Sequence, residues 1–166
     1  MDDRIIKSIN AFSEAMRARA PEKFSFDLFS MFPFCCCEFA SLLLGRYLYE
    51  EHNEIAINVI TGELKENPDQ RHIWLKIKTR NIDLTANQFD KYLPEVLITR
   101  RGGWHDQYKI IKNTRFNDEF DADFWHETKR EMRADYKFLS CKARGSSPNK
   151  RSNRSLRSLG LAKASP

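Results

Sequence analysis

The chain has 166 residues with a formal net charge of +5, and 41% of its residues are hydrophobic. This hydrophobic content is enough for a folded core and excludes a wholly disordered chain. No apolar run approaches the roughly 18 residues that a membrane-spanning helix needs. The first residues are acidic, unlike the basic start of a secretory signal. We therefore expect a cytoplasmic protein that does not cross a membrane.

The positive charge is concentrated at the C-terminal end. Residues 143–166 contain six Lys or Arg side chains and no acid, which leaves residues 1–142 at −1. Ser, Arg, Asn and Gly dominate this segment, and it has no aromatic residue. The composition predicts a folded domain at 1–142 and a disordered basic tail at 143–166. Such a tail either solubilises the protein or weakly contacts nucleic acid or another anionic partner.

Near the start of the chain, two segments have hydrophobic residues at helical spacing. Residues 4–20 predict an amphipathic helix that Pro21 ends. Residues 36–51 predict a second helix, in which Gly45 indicates close packing against another backbone. A short aromatic stretch at 24–34 separates the two and carries at most a helical turn.

The period then changes to that of strands. A turn is expected at Thr61-Gly62, and a closing helix at 118–138. The predicted strands cover residues 55–59, 71–77, 81–85, 95–99 and 108–111. This order indicates an α+β domain with the cysteine-bearing second helix packed on an antiparallel sheet.

Three of the four cysteines are consecutive, Cys35, Cys36 and Cys37, and the fourth is Cys141. A triplet cannot staple distant loops, and without a C-x-x-C pair it is a poor zinc site. We expect neither a metal nor a cofactor. The triplet falls where the second helix starts, and a helix N-terminus favours a thiolate nucleophile. Buried core packing is the competing interpretation.

His72 and Asp83 are candidates for the base and its orienting group. A two-residue turn at Lys78-Thr79 would pair residue 72 with residue 85, so that Asp83 becomes the diagonal neighbour of His72 on the same sheet face. The carboxylate would then fix the tautomer of the imidazole while its other nitrogen faces the thiol.

Three motifs within residues 32–90 together resemble the papain-like cysteine superfamily, in particular its transglutaminase-like and arylamine acetyltransferase-like branches. They are Cys-Glu-Phe-Ala-Ser at 37–41, His-Ile-Trp at 72–74 and Ile-Asp-Leu-Thr at 82–85. The resemblance implies a Cys-His-Asp triad that cleaves or transfers an acyl group of a peptide, small amide or ester. The alternative is a catalytically inactive binding or regulatory module on the same scaffold, with the tail touching an anionic partner.

The nucleophile remains open between two cysteines. A papain-like Cys-x-x-x-Ser spacing selects Cys37, whereas a transglutaminase-like Cys-x-x-x-Ala spacing selects Cys36. We favour Cys37. The further candidates for lining the pocket are Trp74, Gln88, Trp104 and His105.

Overall fold

The computed structural model describes residues 1–52, 55–116 and 130–145. In these residues three α-helices accompany one five-stranded antiparallel sheet, which confirms the α+β class. The helices are α1 (Asp3–Arg17), α2 (Cys37–Glu51) and α3 (Arg130–Ala143). The strands are β1 (Asn58–Leu64), β2 (Asn67–Ile77), β3 (Arg80–Asp83), β4 (Leu97–Thr99) and β5 (Tyr108–Arg115).

The strand order across the sheet is β4-β3-β2-β1-β5, which places β2 at its centre. Ile77 pairs with Arg80, so Lys78 and Thr79 form the two-residue turn that the sequence predicts. Lys78 takes a left-handed conformation there, with φ of 53°. This register brings the odd-numbered residues of β2 to the helix side and the even-numbered ones to the opposite side.

The predicted turn at Thr61-Gly62 is wrong, because β1 runs through both residues to Leu64. Gly62 serves a packing purpose. A Cβ atom at this position would lie 2.8 Å from both Trp74 Cη2 and Tyr108 Cβ. The glycine therefore lets two large aromatic side chains close over the strand.

The main core lies between the helices and one face of the sheet. α2 is apolar on most of its circumference, since it packs against both α1 and β2. Gly45 allows a close approach here, but to the ring of Phe116, 2.8 Å from its ideal Cβ position, rather than to another backbone. A smaller cluster of Ile60, Trp74 and Tyr108 lies on the opposite face, where His72 is also found.

The aromatic stretch between α1 and α2 forms two 3-10 helices, Pro21–Lys23 and Asp27–Met31. The buried Asp135 of α3 holds this stretch in place. Its carboxylate accepts hydrogen bonds from the backbone N–H groups of Ser25 and Phe26 and pairs with Arg19 at 3.2 Å. The segment that leads into α2 is thus fixed to the C-terminal helix.

The closing helix predicted at 118–138 is described only from Arg130, and it continues to Ala143. Residues 118–129 of that prediction lie outside the described residues. Of the predicted tail, Ala143 belongs to α3, and Arg144 forms ion pairs with Glu50 and Glu51 at 3.2 and 2.7 Å. Residues 146–166 lie outside the described residues.

Candidate active site

Cys37 is the first residue of α2, where backbone N–H groups point out of the helix end. The residue before it, Cys36, makes no capping hydrogen bond with its side chain. One turn later, Ser41 Oγ donates a hydrogen bond to the carbonyl of Ile73 at 3.3 Å. This contact fastens the start of α2 to β2 beside His72.

The structure separates the two candidate nucleophiles by burial. Cys36 is 1% exposed and belongs to the main core, and burial raises the pKa of its thiol to about 12. Cys37 is partly exposed and interacts with the imidazole of His72. The geometry therefore favours Cys37 and gives Cys36 the packing role that was the competing interpretation for the triplet.

His72 lies fully buried on β2, and its Nε2 forms a 2.6 Å hydrogen bond with Asp83 Oδ2. Its Nδ1 is also buried and has no hydrogen-bond partner in the described part of the chain. Because Asp83 occupies Nε2, Nδ1 is the nitrogen left for the thiol of Cys37. The two groups interact without forming a well-aligned hydrogen bond, as is common in catalytic sites without substrate.

The electrostatics favour an ionised pair. Burial lowers the pKa of His72, but the charge and hydrogen bond of Asp83, together with Cys37, outweigh it and raise this pKa to about 9. Burial alone would raise the pKa of Asp83. The charge of His72 and the hydrogen bonds from His105 and His72 instead hold that pKa well below its usual range. At neutral pH the site therefore contains an imidazolium beside a carboxylate.

Asp83 is saturated with donors. Its Oδ1 accepts from the backbone N–H of Thr85 at 2.8 Å and from Thr85 Oγ1 at 3.1 Å. Its Oδ2 accepts from His105 Nε2 at 3.1 Å in addition to His72. These contacts explain how a carboxylate that is 1% exposed can stay ionised.

Four aromatic rings enclose the imidazole of His72, with ring centroids 4.9 to 5.9 Å away: Trp74, Phe89, Trp104 and Tyr108. They keep water from its edges and fix its orientation. Of the predicted pocket residues, Trp74 is 1% exposed and donates from Nε1 to Asn81 Oδ1, while Trp104 is half-buried against the imidazole.

Gln88 lies close to the cysteine triplet. Its Oε1 accepts from the backbone N–H of Cys35 at 3.3 Å, and its Nε2 donates to the carbonyl of Thr85 at 3.0 Å. The side chain thus joins the loop before Cys37 to the residue that bonds Asp83. Cys35, on the other side of this contact, is exposed and adopts a φ of 56°.

The sequence pointed to His105 only as a pocket candidate, and the structure makes it a second partner of Asp83. Its Nδ1 meets Thr99 Oγ1 at 2.8 Å, and that hydroxyl lies 3.4 Å from Asn81 Nδ2. No local signal distinguishes His105, which reaches Asp83 from the short 3-10 helix Trp104–Gln107, 22 positions away. The bonds from Thr85, in contrast, are local, because Thr85 follows Asp83 by two residues at the end of β3.

The described residues hold no group of three or more His, Cys, Asp or Glu side chains arranged to bind a metal ion. Nor does any described helix have the length and apolar character needed to cross a membrane. The chain matches no protein-family model, no curated protein and no solved structure at a significant level.

Proposed function

We propose that the protein is a small cysteine-dependent acyl-transfer or amide-hydrolysing enzyme of papain-like, transglutaminase-like type, with Cys37 as nucleophile, His72 as acid and base, and Asp83 as the orienting group. One observation carries the proposal. A buried imidazole bonds Asp83 through Nε2, Asp83 raises its pKa, and its buried Nδ1 is left for a thiol at a helix N-terminus. These are the elements that a thiol nucleophile requires.

The proposed reaction begins with attack of the Cys37 thiolate on an amide or ester carbonyl. The sulfur–carbon bond forms, the bond from carbon to the leaving nitrogen or oxygen breaks, and His72 Nδ1 gives its proton to the leaving group. Water or an amine then attacks the thioester and gives a proton to His72. The sulfur–carbon bond breaks, which restores thiolate and imidazolium. Throughout the reaction, Asp83 accepts the hydrogen bond from Nε2–H of His72 and so keeps the imidazole oriented.

Apolar side chains beside the thiol suggest which acyl donors fit. Phe34 and Phe89 are 55% and 37% exposed, and the hydrogen bond between Cys35 and Gln88 joins the two loops that carry them. Exposed apolar side chains grouped near a reactive group offer a contact surface for an apolar part of a ligand. The proposed substrate therefore carries an apolar group close to its reacting carbonyl.

An activated ester tests the function without knowledge of the substrate. Incubation with p-nitrophenyl acetate should add one acetyl group to Cys37, as intact-protein and peptide mass spectrometry would show, and release of p-nitrophenol should continue over many turnovers. Cys37→Ala should lose both signals, and Cys36→Ala is the control that keeps them.

A binding module that retains the triad without turnover is the competing function. It would be acylated once at Cys37 and release no further p-nitrophenol. Acylation that persists in Cys37→Ala, or no acylation at all, would contradict both functions that use this thiol.

A further inference from the structure

A concave site lies on the sheet face that carries the triad and adjoins it through Trp74, His105 and Tyr108. It is a cavity of about 550 Å³, and neither Cys37 nor His72 is among its lining residues. Trp74, His105 and Tyr108 contribute buried side chains to its wall. The volume falls in the range of roughly 300–1,000 Å³ that small-molecule sites occupy.

Four cationic side chains line this cavity: Lys65, Lys76, Lys78 and Arg101. Within the described ranges none of the four forms an ion pair. Lys76 is half-buried on the central strand, and its direct cross-strand neighbours on both sides are uncharged, Asn58 and Asn81. No cross-strand counter-charge at these two positions therefore neutralises Lys76.

Among the described residues of the cavity wall, Asp106 is the single carboxylate, and it forms no ion pair with these cations. Asp106 Oδ2 accepts from the backbone N–H of Gly102 at 2.7 Å. Lys65 Nζ reaches the backbone carbonyl of Asp106 at 2.6 Å rather than its carboxylate. The cavity therefore carries a net positive charge. Binding of an anion would reduce the electrostatic repulsion among its cations.

We propose that this cavity binds a small molecule that carries two or more phosphate groups. Three of its four cations are lysines, which bind phosphate as point charges, and Arg101 adds a planar fork of donors. A nucleic-acid strand fits less well, because the aromatic side chains of the cavity, Trp74 and Tyr108, are only 1% and 4% exposed and offer no face for base stacking. The proposal is independent of the chemistry at Cys37.

Isothermal titration of the full chain with inorganic tripolyphosphate tests the proposal. We expect saturable binding with one site per chain. Arg101→Gln and Lys76→Gln should each weaken binding about tenfold, the effect of one lost hydrogen bond to a charged group. Lys109→Gln is the matched control. It removes the same charge from β5, between two residues that line the cavity, and should change the affinity less than about twofold.

Two results would overturn the proposal. One is the absence of saturable binding. The other is an equal loss in Lys109→Gln and Arg101→Gln, which would show attraction by net charge alone. A single-stranded oligonucleotide that binds more tightly than tripolyphosphate, with the same dependence on Arg101, would replace the small molecule with nucleic acid. Arg101 is exposed on a loop, so its variant stays informative even if Lys76→Gln does not fold.

Discussion

Asp83 Oδ2 accepts hydrogen bonds from two imidazoles, from His72 Nε2 at 2.6 Å and from His105 Nε2 at 3.1 Å. Because a carboxylate can only accept, both Nε2 atoms carry protons. In a neutral imidazole with its proton on Nε2, Nδ1 is an acceptor, and at His105 this atom lies 2.8 Å from the hydroxyl donor Thr99 Oγ1. Oδ2 of Asp83 thus connects His72 to the segment between β4 and β5, which is not paired in the sheet.

The first prediction concerns the selectivity of alkylation. Cys35 is the more exposed thiol, but Cys37 interacts with an imidazolium. We expect iodoacetamide at pH 6 to modify Cys37 at least about tenfold faster than Cys35, because a thiol at a helix N-terminus beside an imidazole is the better nucleophile. Peptide mass spectrometry over time measures both rates in one sample. Equal rates, or a faster Cys35, would show that exposure alone controls reactivity at this site.

The second prediction distinguishes His72→Ala from Asp83→Asn. An Asn amide cannot accept at both oxygen positions, so its NH₂ group must face either Thr85 or the two imidazoles. The Thr85 backbone N–H cannot become an acceptor, so the NH₂ should face His72 and force the proton of neutral His72 onto Nδ1. We expect a loss of stability on the order of 2–4 kcal/mol and slower acylation of Cys37.

His72→Ala should abolish that acylation more completely, because it removes both the base and the cationic partner of the thiol. Urea unfolding and the pH profile of alkylation, measured on both variants and the wild type, test the pair. Wild-type profiles in both variants would exclude the triad.

The third prediction assigns His105 a positioning role. Its hydrogen bond helps to hold the pKa of Asp83 below the unfolded value, so it contributes stability above about pH 4 that is lost as the pH falls through the folded pKa. His105→Ala should raise that folded pKa, and acid unfolding should begin at a higher pH than in the wild type. His105→Gln, which retains a donor, should lie between. Melting temperatures from pH 7 down to about pH 1 measure this. A difference from the wild type that shrinks as the pH falls through the two folded pKa values supports the role, and a difference that stays constant over the whole range would indicate packing alone.

The fourth prediction concerns the alkaline side. The folded pKa of His72, about 9, exceeds the unfolded value of about 6.5, so its contribution to stability is full below pH 6.5 and is lost as the pH rises through 9. In a Cys37→Ser background, where no thiol titrates at the site, the melting temperature should fall between pH 7 and pH 9.5. Adding His72→Gln should flatten that fall. Parallel curves for the two proteins would mean that His72 is not charged in the folded state.

Local sequence patterns were sufficient to predict those parts of the site whose placement is set by the course of one hairpin or one helix. The period of two places His72 of β2 and Asp83 of β3 on one face of the sheet, and the two-residue turn at Lys78-Thr79 sets the register of the two strands. The helical period of residues 36–51 predicts α2 to within one residue of its observed start at Cys37. Each of these relationships spans at most one hairpin or one helix, where spacing along the chain fixes the distance in space.

Only the tertiary structure decided the relationships that depend on contacts between distant segments. Thr61-Gly62 has the composition of a turn, but Gly62 is required by the rings of Trp74 and Tyr108, which close over it from two other strands. The burial of Cys36 in the core and the bond from His105 to Asp83 both depend on how segments that are distant in sequence pack together. Periodicity carries no information about these positions, because packing, rather than spacing along the chain, determines which distant side chains meet.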